Sequence, residues 1–271
     1  MGKRILAHSA ILGLLALYML PIAWMLSTAL KPDDELFTEQ IRWVPNRIAW
    51  ENYQHALATF PFWLYLRNTL LIAGLRVVGA LLSCLPPAYA FARMRWRGRN
   101  FWFWVMLSTL MLPPQVTLLP VFLLFRTLGW VDTFLPLIVP AFLGNAFLIF
   151  MLRQFFLTLP QELIDAARLD GCSEWAILWR LVAPMSKPAV ATVALFSFVW
   201  AWTDFMNPLI YLNDASKFTL AVGLQYFLGR HGEQWNLLMA AATVVTAPLV
   251  LLFLLTQRAY VRGITLTGLK G

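Results

Sequence analysis

Six stretches of this chain are each long and apolar enough to cross a bilayer, and they occupy most of its 271 residues. A span needs roughly 20 mostly apolar residues. The runs cover residues 5–30, 68–92, 101–125, 134–152, 188–212 and 237–257. Charged residues make up 13% of the chain, about half the roughly 25% of a soluble domain. The expected fold is an all-α integral membrane protein with six transmembrane helices. No room is left for a large soluble domain, and an even number of spans puts both termini on one side.

The basic residues choose that side. Lys3 and Arg4 precede the first span, and Arg93, Arg95, Arg97 and Arg99 separate the second from the third. Arg153, Arg168, Arg180 and Lys187 separate the fourth from the fifth, and Arg258, Arg262 and Lys270 follow the sixth. These are thirteen of the 21 Lys and Arg. Lys31, Arg42, Arg47, Arg67, Arg126, Lys217 and Arg230 fall on the opposite face, with Arg76 inside the second span. Positive charge stays in the cytoplasm, so both termini are expected there. The net charge of +8 then reflects topology. A nucleic-acid surface is the competing reading of so basic a chain, but these charges are dispersed over loops.

Two cysteines, Cys84 in a span and Cys172 in a loop, form no disulfide framework. Small residues Ser27-Thr28-Ala29 end the first apolar run, as at a signal cleavage site. The run exceeds the roughly 7–15 residues of a signal core, which favours a retained span. The external stretch 31–67 holds five of the 13 acids, Asp33, Asp34, Glu35, Glu39 and Glu51. Trp50–Leu57 reads as a short helix there, and Trp43-Val44-Pro45 as a rigid turn. A connection this long fits either a surface for something outside or a solvated loop. Pro113-Pro114 and Pro120 break the third span, and such backbone is tolerated at membrane depth where it lines a cavity. Gln115 follows that break, and Gly144-Asn145 interrupts the fourth span. The fifth and sixth spans read as cleaner, apart from Pro208 and Pro248.

Between spans four and five lies a segment of different character, Pro160 to Pro184, charged and helical in pattern. Thr158 with Gln161 fits a capping box, and Pro160 fits the first turn of a helix over 159–170. Glu162 and Asp165 complement the positive end of its dipole. Gly171 fits a left-handed C-terminal stop. Ser173 caps a second helix expected to run to about Val182 and to be stopped by Pro184. Leu163, Ala166, Ala167 and Leu169 offer apolar contact, and Trp175 an aromatic anchor. A helix resting on the membrane surface is the alternative. It would want basic flanks, whereas Glu162, Asp165, Asp170 and Glu174 face only Arg168 and Arg180.

Asp165-Ala166-Ala167, three residues, Gly171, nine residues and then Leu181-Val182-Ala183-Pro184 resembles the EAA loop of ATP-binding-cassette importer permeases. That loop reads Glu-Ala-Ala, three residues, Gly, nine residues, Ile-x-Leu-Pro. Asp stands here for Glu, Leu for Ile and Ala for Leu. Leu112-Pro113-Pro114-Gln115-Val116, Trp202-Thr203-Asp204-Phe205 and the tail from Gln257 to Gly271 extend the likeness to the carbohydrate branch, the second permease of the maltose or glycerol-3-phosphate type. The resemblance implies a type I importer transmembrane domain in a bacterial or archaeal cytoplasmic membrane. It divides the chain into 1–66, a first helix plus external segment; 67–258, a permease core with coupling loop 153–187; and 259–271, a cytoplasmic tail. It further implies a heterodimer with a related permease, two ATPase subunits holding ATP and Mg, and an external solute-binding protein. Glu162, Asp165, Ala166, Ala167, Asp170, Gly171, Trp175 and Pro184 would form the ATPase-coupling surface. The tail from Arg258 is a second contact candidate.

The residues themselves agree that fuel comes from elsewhere. No G-x-x-x-x-G-K-[ST] loop occurs, since Gly2-Lys3 lacks both flanks. His8, His55 and His231 fall in separate segments, no metal or paired-cysteine motif exists, and no nucleophile elbow is present. The chain is therefore expected to be no enzyme and to bind no cofactor of its own.

For a solute path, Trp200, Asp204, Asn207 and Tyr211 recur at helical spacing on the fifth span. Sugars suit aromatic planes edged by Asn or Asp, and an ionisable residue inside a span is a functional candidate by default. Gln115 and Asn145 are further path candidates. Arg76 lies about nine residues into span two, or ~13 Å, and Asp204 about eight into span five, or ~12 Å. Equal depth allows a structural Arg76–Asp204 pair, and pair and solute lining remain alternatives. A permease for glycerol-3-phosphate or another polar solute, a stand-alone channel or carrier, and a membrane scaffold are the competing functions.

Overall fold

A computed structural model describes residues 2–38, 42–228 and 234–268, with side chains from residue 6 to residue 257 of those ranges. His231 and the side chains of the tail 258–271 lie outside the described residues. Among the described residues every regular element is helical. Four helices are long and apolar enough to cross a membrane: Leu6–Ala29, Phe62–Arg93, Leu135–Phe156 and Trp235–Gln257. Two bent pairs also qualify, Arg99–Met111 with Pro114–Thr127 at 97° and Glu174–Met185 with Lys187–Trp202 at 86°. The chain is thus an all-α membrane protein with four to six apolar spans.

The chain forms two compact units, residues 1–63 with 222–251 and residues 64–221 with 252–271. In the first, helix α1 (Gly2–Ala29) is exposed from Leu6 to Trp24, as a lipid-facing span would be. Its carbonyl end is closed by Asn52 of α2 (Glu51–Thr59), whose Nδ2 donates to Ala29 O at 2.9 Å and Lys31 O at 2.8 Å. The last carbonyls of a helix need such partners. Asn236 Nδ2 donates to Asp33 Oδ1 at 2.6 Å, and the Lys31 ammonium sits 4.2 Å from the Trp24 ring. Most of the stretch expected to be external is therefore tied down, and α2 ends two residues beyond the expected Leu57.

In the second unit, α3 (Phe62–Arg93) is followed by α4 (Arg99–Ser108) and α5 (Pro114–Thr127). The sharp bend falls where Pro113 and Pro114 deny the backbone two donors. Helix α6 (Leu135–Ile138) runs through a 3₁₀ turn to Gly144, whose φ of +89° lets the chain restart as α7 (Ala146–Phe156). Asn145 caps α7, its Oδ1 accepting the Leu148 N–H at 3.1 Å. One core packs α3 and α7 around Cys84, Leu85, Ala88, Leu148, Leu152 and Phe156 and extends to Ile164, Ile177, Val182 and Val193 of the segments that follow.

Three expected helix limits are corrected. The capping box is absent, because Thr158 Oγ1 donates back to Phe155 O at 2.7 Å and Pro160 precedes α8 (Gln161–Leu169) with no side-chain cap. Pro184 does not stop the second loop helix. After α9 (Glu174–Ala176) the chain widens into a π turn over Ile177–Val182, then returns as α10 (Ala183–Met185). A wider turn moves the carbonyl four residues back out of the proline ring's way. The fifth span is not clean. Helix α11 (Lys187–Trp202) ends at Thr203, and α12 (Met206–Tyr211) begins anew. The Asp204 carboxylate causes the restart, its Oδ1 accepting the Asn207 N–H at 3.2 Å. After α12 come a short helix α13 (Leu220–Gly223) and the long α14 (Trp235–Gly268).

Candidate functional site

Two features of the second unit carry chemistry, a cavity among its spans and the structured loop 157–186. The cavity encloses about 620 Å³ and is lined by α3, α5, the α6–α7 break, α11 and α12. Asn145, Trp200, Asp204, Asn207 and Tyr211 all line it, as does Arg76. Gln115 does not. It is exposed at the start of α5. The helix break at Thr203–Phe205 removes the single helical face expected for Trp200, Asp204, Asn207 and Tyr211, yet the turn still delivers all four to one space.

Arg76 Nη1 lies 3.0 Å from Asp204 Oδ2, with the Asp204 side chain only 10% exposed. Asn207 Nδ2 donates to both Asp204 oxygens at 3.0 Å. The carboxylate is thus saturated and the pair is electrically neutral. Around it the walls are aromatic. Tyr211 stacks on Phe122 at 6.0 Å, Phe125 stacks on Trp130 at 5.2 Å, and Trp200 stacks on Phe196 at 5.7 Å. Ser197 also faces the cavity, buried and, among the described residues, with no partner for its hydroxyl. Trp130 and Ser197 carry no sequence signal that separates them from ordinary loop and span residues.

Beside the cavity, the loop before α6 is clipped to the loop after α12. Asp132, at φ +62°, accepts the N–H groups of Asn213 and Asp214 at 3.0 Å each and pairs with Lys217 Nζ at 2.7 Å. The Lys217 bond first, then the two backbone N–H groups, hold the Asp132 carboxyl down at about 2, below its ordinary 3.8. A carboxyl depressed on folding contributes stability above its unfolded value and loses it as pH falls through the folded one. The unfolding midpoint of the detergent-solubilised protein should therefore drop between pH 3.8 and about 2. Asp132→Asn should start lower at neutral pH and drop less across that window, as read by thermal scans.

In the loop, Ile164 anchors α8. It is 1% exposed and packs with Phe156, Ile177, Leu178 and Tyr89. Ala167 turns toward the same core. Glu162, Leu163, Asp165, Ala166, Leu169 and Asp170 face outward, Leu169 at 90% exposure. Ala167 is thus a packing residue where an outward one was expected. Ile164 was legible as the apolar residue three before it. Gly171, at φ +80°, donates to Arg168 O, and Cys172 N–H donates to Ala167 O, both at 3.0 Å. This is a Schellman stop, which needs the left-handed residue that glycine supplies. Ser173 Oγ accepts the Ala176 N–H at 3.3 Å and starts the next helix. Trp175 is exposed over a small apolar pocket floored by Pro86, Pro87 and Leu178. Pro184 is exposed as well.

Polar side chains brace the loop against α3. Tyr89 Oη donates to Glu174 Oε2 at 2.5 Å, and Arg168 Nε donates to Glu174 Oε1 at 2.8 Å. Arg168 also pairs with Asp165 at 3.1 Å. Its guanidinium is held above its ordinary value, mostly by the Glu174 bond. Arg93 donates to Phe156 O at 2.9 Å through Nε, to Gln161 Oε1 at 2.7 Å, and to Leu159 O. Glu174 therefore faces inward, unlike the loop's other acids. Among the described residues no three of His, Cys, Asp and Glu converge to hold a metal.

Long apolar spans around a polar-edged cavity, with a braced helix standing outside them, define a membrane transport subunit. The chain belongs to the family of binding-protein-dependent transport system inner membrane components, whose pattern matches residues 78–266. It is 32% identical over 254 residues to the arabinooligosaccharides transport system permease protein AraQ of Halalkalibacterium halodurans, covering 93% of this chain and 91% of that one. It is 31% identical over 271 residues to the sn-glycerol-3-phosphate transport system permease protein UgpE of Yersinia pestis, covering 97% and 96%. Among solved structures it resembles a chain of a bacterial ABC transporter that imports the acidic polysaccharide alginate. The TM-score is 0.84 at 25% identity, over 95% of this chain and 97% of that one. The chain is a multi-pass permease subunit of an ATP-binding-cassette importer and is not itself an enzyme.

Proposed function

We propose that this permease passes an uncharged sugar or oligosaccharide, delivered by an external solute-binding protein, through a channel shared with a related second permease. Two ATPase subunits drive it. In this reading the spans are α1, α3, α4 with α5, α6 with α7, α11 with α12, and α14, six in all with both termini in the cytoplasm, and the arm 174–185 belongs to the loop. Helix α8, with Glu162, Asp165, Ala166 and Asp170 outward and Gly171, Trp175 and Pro184 beside it, docks on one ATPase. Ala167 supports that surface from beneath, and the tail from Arg258 adds a second contact. Asn145, Trp200, Asp204, Asn207 and Tyr211 line the solute path, with Gln115 at a separate exposed point.

The observation that carries the solute class is the neutralised Arg76. A phosphate-bearing solute, as the name of the Yersinia relative indicates for that protein, needs a cation free to pair with it. Arg76 is already paired with Asp204 at 3.0 Å, and among the described residues no other Lys or Arg lines the cavity. Aromatic faces edged by Asn207, Ser197 and the unused N–H groups of Arg76 suit hydroxyls.

The ATP-closed and nucleotide-free forms of the ATPase pair hold α8 in different places, and the spans rock between inward- and outward-open states. The test is uptake into vesicles of a radiolabelled arabino-oligosaccharide and of sn-glycerol-3-phosphate, with the binding protein and internal ATP. ATP-dependent uptake of the neutral sugar alone is expected. Accumulation by this chain without ATPase subunits would overturn the importer reading, and preferential uptake of the phosphate would overturn the neutral-solute reading.

A further inference from the structure

We propose that Tyr89, Arg93, Arg168 and Glu174 form a rigid joint that carries displacement of α8 into α3, and through α3 to Arg76 in the cavity. The inference rests on the reading of α8 as the docking element.

The joint differs from ordinary packing in being directional. Ile164, Ile177 and Leu178 give α8 and the following helix an apolar seat against Ala88 and Tyr89. Apolar contact is non-directional and allows sliding. Hydrogen bonds to charged groups fix angles and are stronger than neutral ones. Glu174 takes one bond from Tyr89 on α3 and two from Arg168 on α8, at 2.5, 2.8 and 3.3 Å. Arg168 Nη2 also reaches the Arg93 carbonyl at 3.4 Å. Arg93, the last residue of α3, binds the end of α7 and the entry to α8 at once, through Phe156 O, Leu159 O and Gln161 Oε1. Tyr89 is 2% exposed, which shields the donor end of its bond to Glu174, whose side chain is 36% exposed. Among the described residues, these four side chains take part in the hydrogen bonds that tie α8 and the helix after it to α3.

Helix α3 then extends the lever. From Arg93 back to Arg76 it stays one helix, ~26 Å at 1.5 Å per residue, although Pro86 and Pro87 within that stretch remove two backbone donors. Arg76 and Ala80 present its cavity face. A tilt applied at Arg93 moves that face against α11 and α12. Removing the joint leaves α8 seated and able to meet the ATPase, while its motion is absorbed by slippage before reaching α3.

The test uses the assembled transporter in lipid vesicles, with Cys84 and Cys172 replaced by serine and Ala80→Cys as the reporter on α3. Maleimide labelling of the reporter is compared in the nucleotide-free and ATP–vanadate-trapped states. In the parent the labelling rate should differ about fivefold or more between states, the lower end of ordinary site-to-site coupling. Tyr89→Phe, Glu174→Gln and Arg93→Lys should each keep ATP hydrolysis within about twofold of the parent while the difference shrinks below about twofold, outside that range. Variants that retain the full difference would overturn the proposal. So would variants in which hydrolysis and the labelling difference fall together, or in which the complex no longer assembles, since the four residues would then be a folding brace. A parent that shows no nucleotide-dependent difference would also overturn the proposal, since α3 would then not move at Ala80, while ATP-dependent uptake in the same vesicles tests the importer reading separately.

Discussion

Gly171→Pro should leave the permease in the membrane and strip it of its ATPase. Gly171 holds φ at +80°, and proline fixes φ near −65°. The substitution also deletes the N–H that bonds Arg168 O. The stop of α8 cannot form, so the outward row Leu163, Ala166 and Leu169 loses its aim. A backbone conflict of this kind costs ~3 kcal/mol, which corresponds to ~100-fold in association. Gly171→Asn should retain most binding, because asparagine tolerates the left-handed conformation. Co-purification with the ATPase is the measurement, scored beside the amount of inserted permease. Equal recovery of ATPase with the proline and asparagine variants would remove α8 from the docking role. Leu169→Glu tests the same surface without touching the backbone, since Leu169 is 90% exposed.

The second large effect is expected at the ion pair in the cavity. Arg76→Ala leaves the Asp204 carboxylate with Asn207 but no cation. Breaking a buried pair from one side costs about 3–5 kcal/mol. The Arg76 side chain is 24% exposed, so the lower end applies. Arg76→Ala with Asp204→Ala should regain part of the lost thermal stability in detergent, with a coupling of ~1–3 kcal/mol. Strictly additive losses would mean that the two groups act independently. Asp204→Ala also removes the acceptor that starts α12, so full recovery is not expected.

Much of this architecture is legible in the linear order of residues, and the exceptions share a cause. Apolar runs, Pro113-Pro114 and Gly144-Asn145 mark helices and breaks because length and backbone chemistry act locally. Gly171 and Ser173 do the same for the loop. Thr158 and Pro184 mislead because each has a local alternative. The threonine bonds back to Phe155 O, and the proline is accommodated by a widened turn. Asp204 misleads for a related reason. Its charge reads as one more residue on a helical face, whereas its carboxylate ends one helix and begins the next. The brace of Tyr89, Arg93 and Glu174 is invisible in the chain order because its partners are 63 to 85 residues apart. Arg93 reads there only as a topology charge, and Glu174 only as one more loop acid.

The widened turn at Ile177–Val182 also bears on how this segment tolerates change in length. A π turn holds one residue more than the α turn it replaces. Shortening the chain by one position there would rewind it to the tighter pitch and press the Pro184 ring onto the backbone behind it. Side-chain replacements at the exposed Trp179 and Arg180 leave that slack intact. The spacing between the loop and the fifth span is therefore constrained by residue count as well as by the buried Ile177, Leu178 and Val182.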